Sequence, residues 1–135
     1  MRRLFLDANV LFTAAHNPDG KAALIIALGA EGFWELCTSA LAEEEARRNI
    51  TVKYPAMLTH LDALLKSMLR ATEQPAAPFP SGLAEKDRPI FQAALGCKAT
   101  HLITGDIAHF GSFMGNPART LGIIVITPAQ FLDTL

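Results

Sequence analysis

The sequence predicts an α/β fold: a central, mainly parallel sheet with helices on both faces, a three-layer α/β/α arrangement. Three observations predict it. Short unbroken apolar runs occur at Leu4 to Leu6 and Ile123 to Ile126, and His101 to Thr104 also reads as a strand; such runs suit strands buried on both faces of a parallel sheet. Helical stretches separate them, and this alternation implies right-handed crossovers. The chain has 135 residues, 50% hydrophobic and 19% charged, which fits one globular domain spanning 1–135 with a substantial core.

The first strand is Leu4-Phe5-Leu6, ending abruptly in Asp7 with Asn9 two residues on. A helix is expected over Asn9 to Ala15, then a turn at Asn17-Pro18-Asp19-Gly20. Lys21 to Ala30 reads as an apolar helix stopped by Gly32, and Phe33 to Thr38 as the second strand. Ser39 suits the N-cap of a helix over Ala40 to Asn49, whose acidic first turns favour the helix dipole.

Tyr54 to Leu69 reads as an amphipathic helix, with Tyr54, Met57, Leu58, Leu61, Leu64, Leu65, Met68 and Leu69 on one face. Pro55 fits because it falls in the first turn. The stripe suits core packing, and part of it suits a partner or dimer surface. A third strand is expected at Ala71 to Glu73, followed by a proline-bearing loop from Gln74 to Gly82. A helix with Asp87 in its first turn runs to about Cys97. His101 to Thr104 forms a strand, Gly105-Asp106 follows it, Ile123 to Ile126 forms the last strand, and Pro128 to Leu135 a closing helix.

Composition narrows the function. The net charge is −1, from 12 basic and 13 acidic residues, so the chain does not grip nucleic acid by bulk charge. A nuclease whose bound metal supplies local positive charge is compatible with it. Cys37 and Cys97 read as buried free thiols in a reducing cytoplasm, not as a disulfide framework or a zinc site. The apolar run behind Met1-Arg2-Arg3 is too short for a signal peptide. The longest apolar run, Ala22 to Ala30, falls far short of the roughly 18 residues that suggest a membrane span. The expected location is the cytoplasm, with no membrane contact.

Acidic residues carry the chemistry. Asp7 and Asp106 follow strands and so share the carboxyl edge of a parallel sheet, where ligands of open α/β sheets bind. Asp87 opens a helix facing that edge, and one of Glu43, Glu44 and Glu45 reaches it from the helix after the second strand. Carboxylates crowded in one pocket repel unless some are protonated or a cation binds. Oxygen ligands without Cys or His favour Mg²⁺ or Mn²⁺, ions that serve phosphodiester cleavage. Each acid also has a structural reading: Asp7 as a helix cap, Asp87 as a first-turn dipole residue, Asp106 as a turn residue, and the glutamates as a solvated charge run.

Four motifs in order resemble the PIN-domain family, especially VapC-type toxins of bacterial toxin–antitoxin pairs. They are Leu6-Asp7-Ala8-Asn9-Val10-Leu11, then Ser39 with Glu45 six residues later, then Glu85-Lys86-Asp87-Arg88-Pro89-Ile90, then Leu102-Ile103-Thr104-Gly105-Asp106 followed by His109-Phe110-Gly111. The resemblance covers nearly the whole chain. It implies a metal-dependent endoribonuclease with Asp7, Glu45, Asp87 and Asp106 as catalytic Mg²⁺ or Mn²⁺ ligands. Glu44 is the alternative to Glu45, because a turn of about 100° per residue puts neighbours on different faces. Asn9 and Thr104 would orient the carboxylates. Arg47, Arg48 and Arg88, with Lys86 beside them, are candidates to hold phosphate, as is His109, which stands where some relatives carry a further acid. The implied partners are an RNA substrate, a cognate antitoxin protein in the acidic groove, and a second copy of the chain, with the Tyr54 to Leu69 helix contributing to the antitoxin or homodimer seam.

Two other readings differ in class. Asp7-Ala8-Asn9 also resembles the opening of haloacid-dehalogenase-type phosphatases, but these need a second Asp where Asn9 stands. A non-catalytic PIN-like binding module would keep the fold without the chemistry.

Overall fold

The computed structural model describes all 135 residues, Met1–Leu135. Five strands form one sheet: β1 (Arg3–Leu6), β2 (Glu35–Ser39), β3 (Leu69–Ala71), β4 (His101–Ile103) and β5 (Ile124–Ile126). Their order is β3-β2-β1-β4-β5, and every pairing is parallel. The first strand therefore lies in the middle, with Phe5 facing Cys37 on one side and Leu102 on the other. Leu4, Phe5 and Leu6 are completely buried, as a strand covered on both faces requires.

Seven helices complete the layers: α1 (Ala8–His16), α2 (Lys21–Ala30), α3 (Ala40–Lys53), α4 (Leu58–Leu65), α5 (Arg88–Gly96), α6 (Ile107–Phe110) and α7 (Pro128–Asp133). Helices α1 to α4 pack on one another, and α5 packs against β2, β3 and β4. The chain steps outward from β1 to β3, then crosses back to β4. Right-handed crossovers put α5 on the face opposite α1 to α4. The core includes Phe5, Phe91, Phe110 and Phe131, all essentially buried.

Several elements differ from expectation, each for a local reason. The expected helix from Tyr54 to Leu69 is three pieces: a 3-10 turn at Pro55–Met57, α4, and strand β3. Pro55 disfavours helical backbone at the residue before it, and Tyr54 sits at φ −144°, ψ 61°. At the other end, the Ser67 hydroxyl donates to the Leu64 carbonyl (3.0 Å) and the Arg70 guanidinium to that of Leu65 (3.0 Å). Those donors satisfy the last carbonyls of α4 and release Leu69 to pair with Cys37. The third strand thus lies two residues earlier than Ala71 to Glu73. Leu61 and Leu65 are buried, whereas Tyr54 and Leu69 are exposed.

The second strand begins at Glu35, because Trp34 turns inward and donates its indole N–H to the Ile25 carbonyl (3.1 Å) while Phe33 stays outside. Helix α3 continues past Asn49 to Lys53, carried by buried Ile50. Asp87 closes a 3-10 turn, Glu85–Asp87, that leads into α5. Helix α6, absent from the sequence expectation, is four residues long and capped by Asp106, whose side chain accepts from the His109 backbone N–H (3.2 Å).

Candidate metal centre at the carboxyl edge of the sheet

The strand order reverses direction between β1 and β4, and a crevice opens there outside the carboxyl ends of the strands. Asp7 follows β1 directly, and Thr104, Gly105 and Asp106 follow β4. The open end is a cleft of about 180 Å³ lined by Asp7, Asn9, Leu41, Glu45, Arg48, Lys86, Asp87, Ile90 and Asp106. Carboxylates from four elements line it, and the group whose possible ligand atoms converge within 4.8 Å is Asp87, Asp106 and His109, without Asp7 or Glu45.

Asp7 is the most constrained of them. It is 6% exposed. Its Oδ1 accepts the Ala8 backbone N–H (2.8 Å), so it caps α1. Its Oδ2 accepts the Thr104 hydroxyl (2.8 Å) and the Asn9 amide (3.2 Å). The structural and functional readings of Asp7 are thus compatible, because its two oxygens face different groups. Burial pushes the Asp7 carboxyl above the usual range; the bonds from Thr104 and Ala8 oppose this, and the charges of Glu45 and Asp106 reinforce it.

Asn9 and Thr104 tie the two strand ends together. The Asn9 amide also donates to the Thr104 hydroxyl (3.2 Å), and its carbonyl accepts the Gly105 N–H (2.7 Å). The Thr104 hydroxyl accepts the Asp106 N–H (3.1 Å). Position 105 is crowded: a Cβ there would meet the Asn9 carbonyl oxygen at 3.2 Å.

Asp87 carries an uncompensated atom. Its Oδ2 is buried and has no hydrogen-bond partner, and the nearest base is His109 Nδ1 at 4.0 Å. Buried carboxylate oxygens ordinarily have partners. Burial raises the Asp87 pKa; the His109 and Lys86 charges oppose this, and Asp106 adds to it. His109 lies 2.5 Å from Asp106 Oδ2 through Nδ1. Asp87, Asp106 and His109 each bring one possible metal-binding atom within 4.8 Å of the others. An unpartnered buried oxygen beside further carboxylates fits a hard divalent cation.

The three glutamates separate cleanly. Glu45 lines the cleft. Glu43 faces away and is held by Arg70 (3.1 Å) and Arg47 (3.4 Å). Glu44 lies on the exposed outer side of α3 with Arg47 and Thr51.

The basic residues divide in the same way. Arg48 and Lys86 line the cleft without an ion pair to any of its acids. Arg47 and Arg88, expected at the phosphate, stand elsewhere. Arg47 reaches Asp62 (2.8 Å) and Glu43 because it leaves α3 one helical position before Arg48. The Arg88 Nε donates to the Leu83 carbonyl (3.0 Å), and its guanidinium covers the Phe79 ring at 4.5 Å. His109 sits against Asp106 and Asp87 instead of standing free toward solvent. Two lining residues escaped the sequence reading: Leu41 and Ile90, apolar walls whose only signal is their place in the first turns of α3 and α5.

No protein-family model matches the chain, and no curated protein matches it. Among solved structures it is similar to a chain in the crystal structure of VapBC2 from Rickettsia felis bound to a DNA fragment from their promoter. The TM-score is 0.66 at 16% identity, over 93% of this chain and 98% of that one. The two chains share a fold.

Proposed function

We propose that this protein is a metal-dependent endoribonuclease of the PIN-domain type, the toxin of a toxin–antitoxin pair. One observation carries the nuclease reading. Asp7, Glu45, Asp87 and Asp106 line one cleft, and only Asp106 has a base in direct contact, His109. Such a concentration of negative charge calls for a cation from outside the chain. The donor set is oxygen-rich, so Mg²⁺ or Mn²⁺ fits it. Asp7, Glu45, Asp87 and Asp106 would hold the ion.

A bound divalent ion supplies an acidified water and neutralises charge on the departing oxygen. The chain's own residues do the rest. Asn9 and Thr104 fix the Asp7 carboxylate through the bonds described above. Arg48 and Lys86, at the rim of the cleft, attract the phosphodiester and hold it over the acids. Leu41 and Ile90 give the cleft apolar walls, which strengthen the electrostatics inside it. The fold shared with a VapBC2 chain supports a cognate antitoxin as partner, one that brings a basic side chain to the acidic cleft. No helix is long and apolar enough to cross a membrane, which is compatible with work in the cytoplasm on RNA.

The test is cleavage of bulk RNA in Mn²⁺, in Mg²⁺ and in EDTA, beside an Asp7→Asn variant whose fold is checked by circular dichroism. Cleavage by wild type only with metal, and none by the variant, supports the reading. Equal cleavage by both proteins removes Asp7 from the site. A metal-independent RNA or protein contact without cleavage favours the binding-module reading.

A further inference from the structure

Cys37 and Cys97 take no part in the acidic cleft, yet the fold brings them together. Cys37 is in the middle of β2 and completely buried. Cys97 is the C-cap of α5 and half-buried. They are 60 residues apart in sequence, and their Sγ atoms lie 2.9 Å apart. Both are free thiols. A disulfide needs about 2.05 Å between sulfurs, so closure requires a movement of less than an ångström. An ion pair stands beside them: Arg3 donates to the Cys97 carbonyl (2.5 Å) while its other terminal nitrogen pairs with Glu35 (2.8 Å).

We propose that Cys37 and Cys97 form an oxidisable dithiol, a modification site that closes to an intramolecular disulfide by exchange with a small-molecule disulfide. The two sulfurs have unequal roles. Cys97, the less buried residue of the two, is the attacking thiol. Its pKa is lowered by the hydrogen bond from Cys37 and by the Arg3 charge, although burial opposes both. Cys37, whose pKa is raised by that bond and by burial, is the resolving thiol.

The exchange balances in two steps. The Cys97 thiolate attacks one sulfur of the external disulfide, whose S–S bond breaks, and the first small thiol leaves with a proton. Cys37 then passes its proton to the second leaving thiolate and bonds to Cys97 Sγ. Two protein thiols are oxidised, and one external disulfide is reduced to two thiols. The new bond joins β2, which leads into the helix of Glu45, to the far end of the helix that Asp87 opens.

The test treats the full chain with oxidised glutathione, then alkylates, maps by mass spectrometry and melts the product. The expected product is monomeric, has lost two hydrogens, contains a Cys37–Cys97 peptide pair and reverts with dithiothreitol. Closing so long a loop raises Tm by on the order of 10 °C. Cys37→Ala should stop at glutathione on Cys97, and Cys97→Ala should remain unmodified. The proposal is overturned if both wild-type thiols stay open to alkylation, if wild type stops with glutathione on Cys97, or if the product is a dimer linked between chains. RNA cleavage is not read, so the outcome is independent of the nuclease proposal.

Discussion

Helix α3 carries acids in two opposite electrostatic settings. Glu43, turned away from the cleft, is held by Arg70 and Arg47, and Arg47 is held in turn by Asp62. The Arg70 hydrogen bond comes first in pulling the Glu43 carboxyl below its ordinary value. Two residues on, Glu45 enters a cleft where Asp7 and Asp87 are pushed the other way by burial. The difference teaches how to separate structural acids from acids held in readiness. A carboxylate matched by the chain's own bases is already neutralised. One that is buried and left unmatched raises the energy of the folded chain until something from solution neutralises it.

The strongest way to break this comparison is by activity. Asp7→Asn and Asp87→Asn should each lower metal-dependent RNA cleavage by at least about a hundredfold, since even disturbing a residue that orients a metal ligand costs 10–100-fold. Glu43→Gln should stay within about twofold of wild type, because its partners are arginines outside the cleft. Initial rates in Mn²⁺ measure this, and equal losses in all three variants would erase the distinction. Next comes Thr104→Val, which removes the hydroxyl bonded to Asp7 and Asp106. Metal affinity, read by calorimetric titration, should weaken by roughly 10-fold or more.

Thermal stability sharpens the same contrast. Mn²⁺ at a hundred times its dissociation constant stabilises a folded chain by about 2.7 kcal/mol, on the order of 10 °C in Tm for a domain of this size. Wild type and Glu43→Gln should show the rise and Asp87→Asn should not. The smallest effect is a pH dependence of opposite sign in the two settings, measured in EDTA. Raised values for Asp7 and Asp87 mean that their neutral forms suit the fold. Their contribution is complete below the unfolded carboxylate value of about 3.9 and is lost as pH climbs through the raised values. Asp87→Asn should therefore raise the metal-free Tm at neutral pH. Glu43 behaves in reverse: its contribution is present above its unfolded value and is lost as pH falls. Glu43→Gln should lower Tm at neutral pH and converge with wild type in acid.

The sequence made the sheet legible, because Leu4 to Leu6 and Ile123 to Ile126 are short apolar runs of strand length; Leu4 to Leu6 is fully buried at the centre, whereas at the edge Ile124 and Ile126 are only partly covered. Asp7 and Asp106 were legible as strand ends for the same reason. Glu45 was harder. Choosing among three successive glutamates depends on the phase of α3, fixed by Ser39, whose hydroxyl caps the helix through the Ala42 N–H (3.2 Å). Tyr54 to Leu69 misled because its apolar spacing fits a helix throughout. The end of α4 is set by the side chain of Arg70, whose reach back to the Leu65 carbonyl is a tertiary event no local pattern carries. That Arg47 and Arg88 lie outside the cleft lining was hidden for a similar reason. Proximity to an acid in sequence does not reveal whether Asp62 or the Phe79 ring takes the guanidinium first. Helix α6 was invisible because four residues are too few to show a period.

The central position of β1 governs how the chain acquires its chemistry during synthesis. The strand is made before the other four, but its β4 neighbour ends at residue 103. At about 5–20 residues per second, translation leaves that flank of β1 bare for roughly 5–20 s. A partly made chain exposes an apolar strand edge, a target for holdase chaperones and a risk for association between neighbouring nascent chains. The acidic cleft is completed late as well, because Asp106 is made after Asp7, Glu45 and Asp87 and its carboxylate joins the lining only once β4 has emerged.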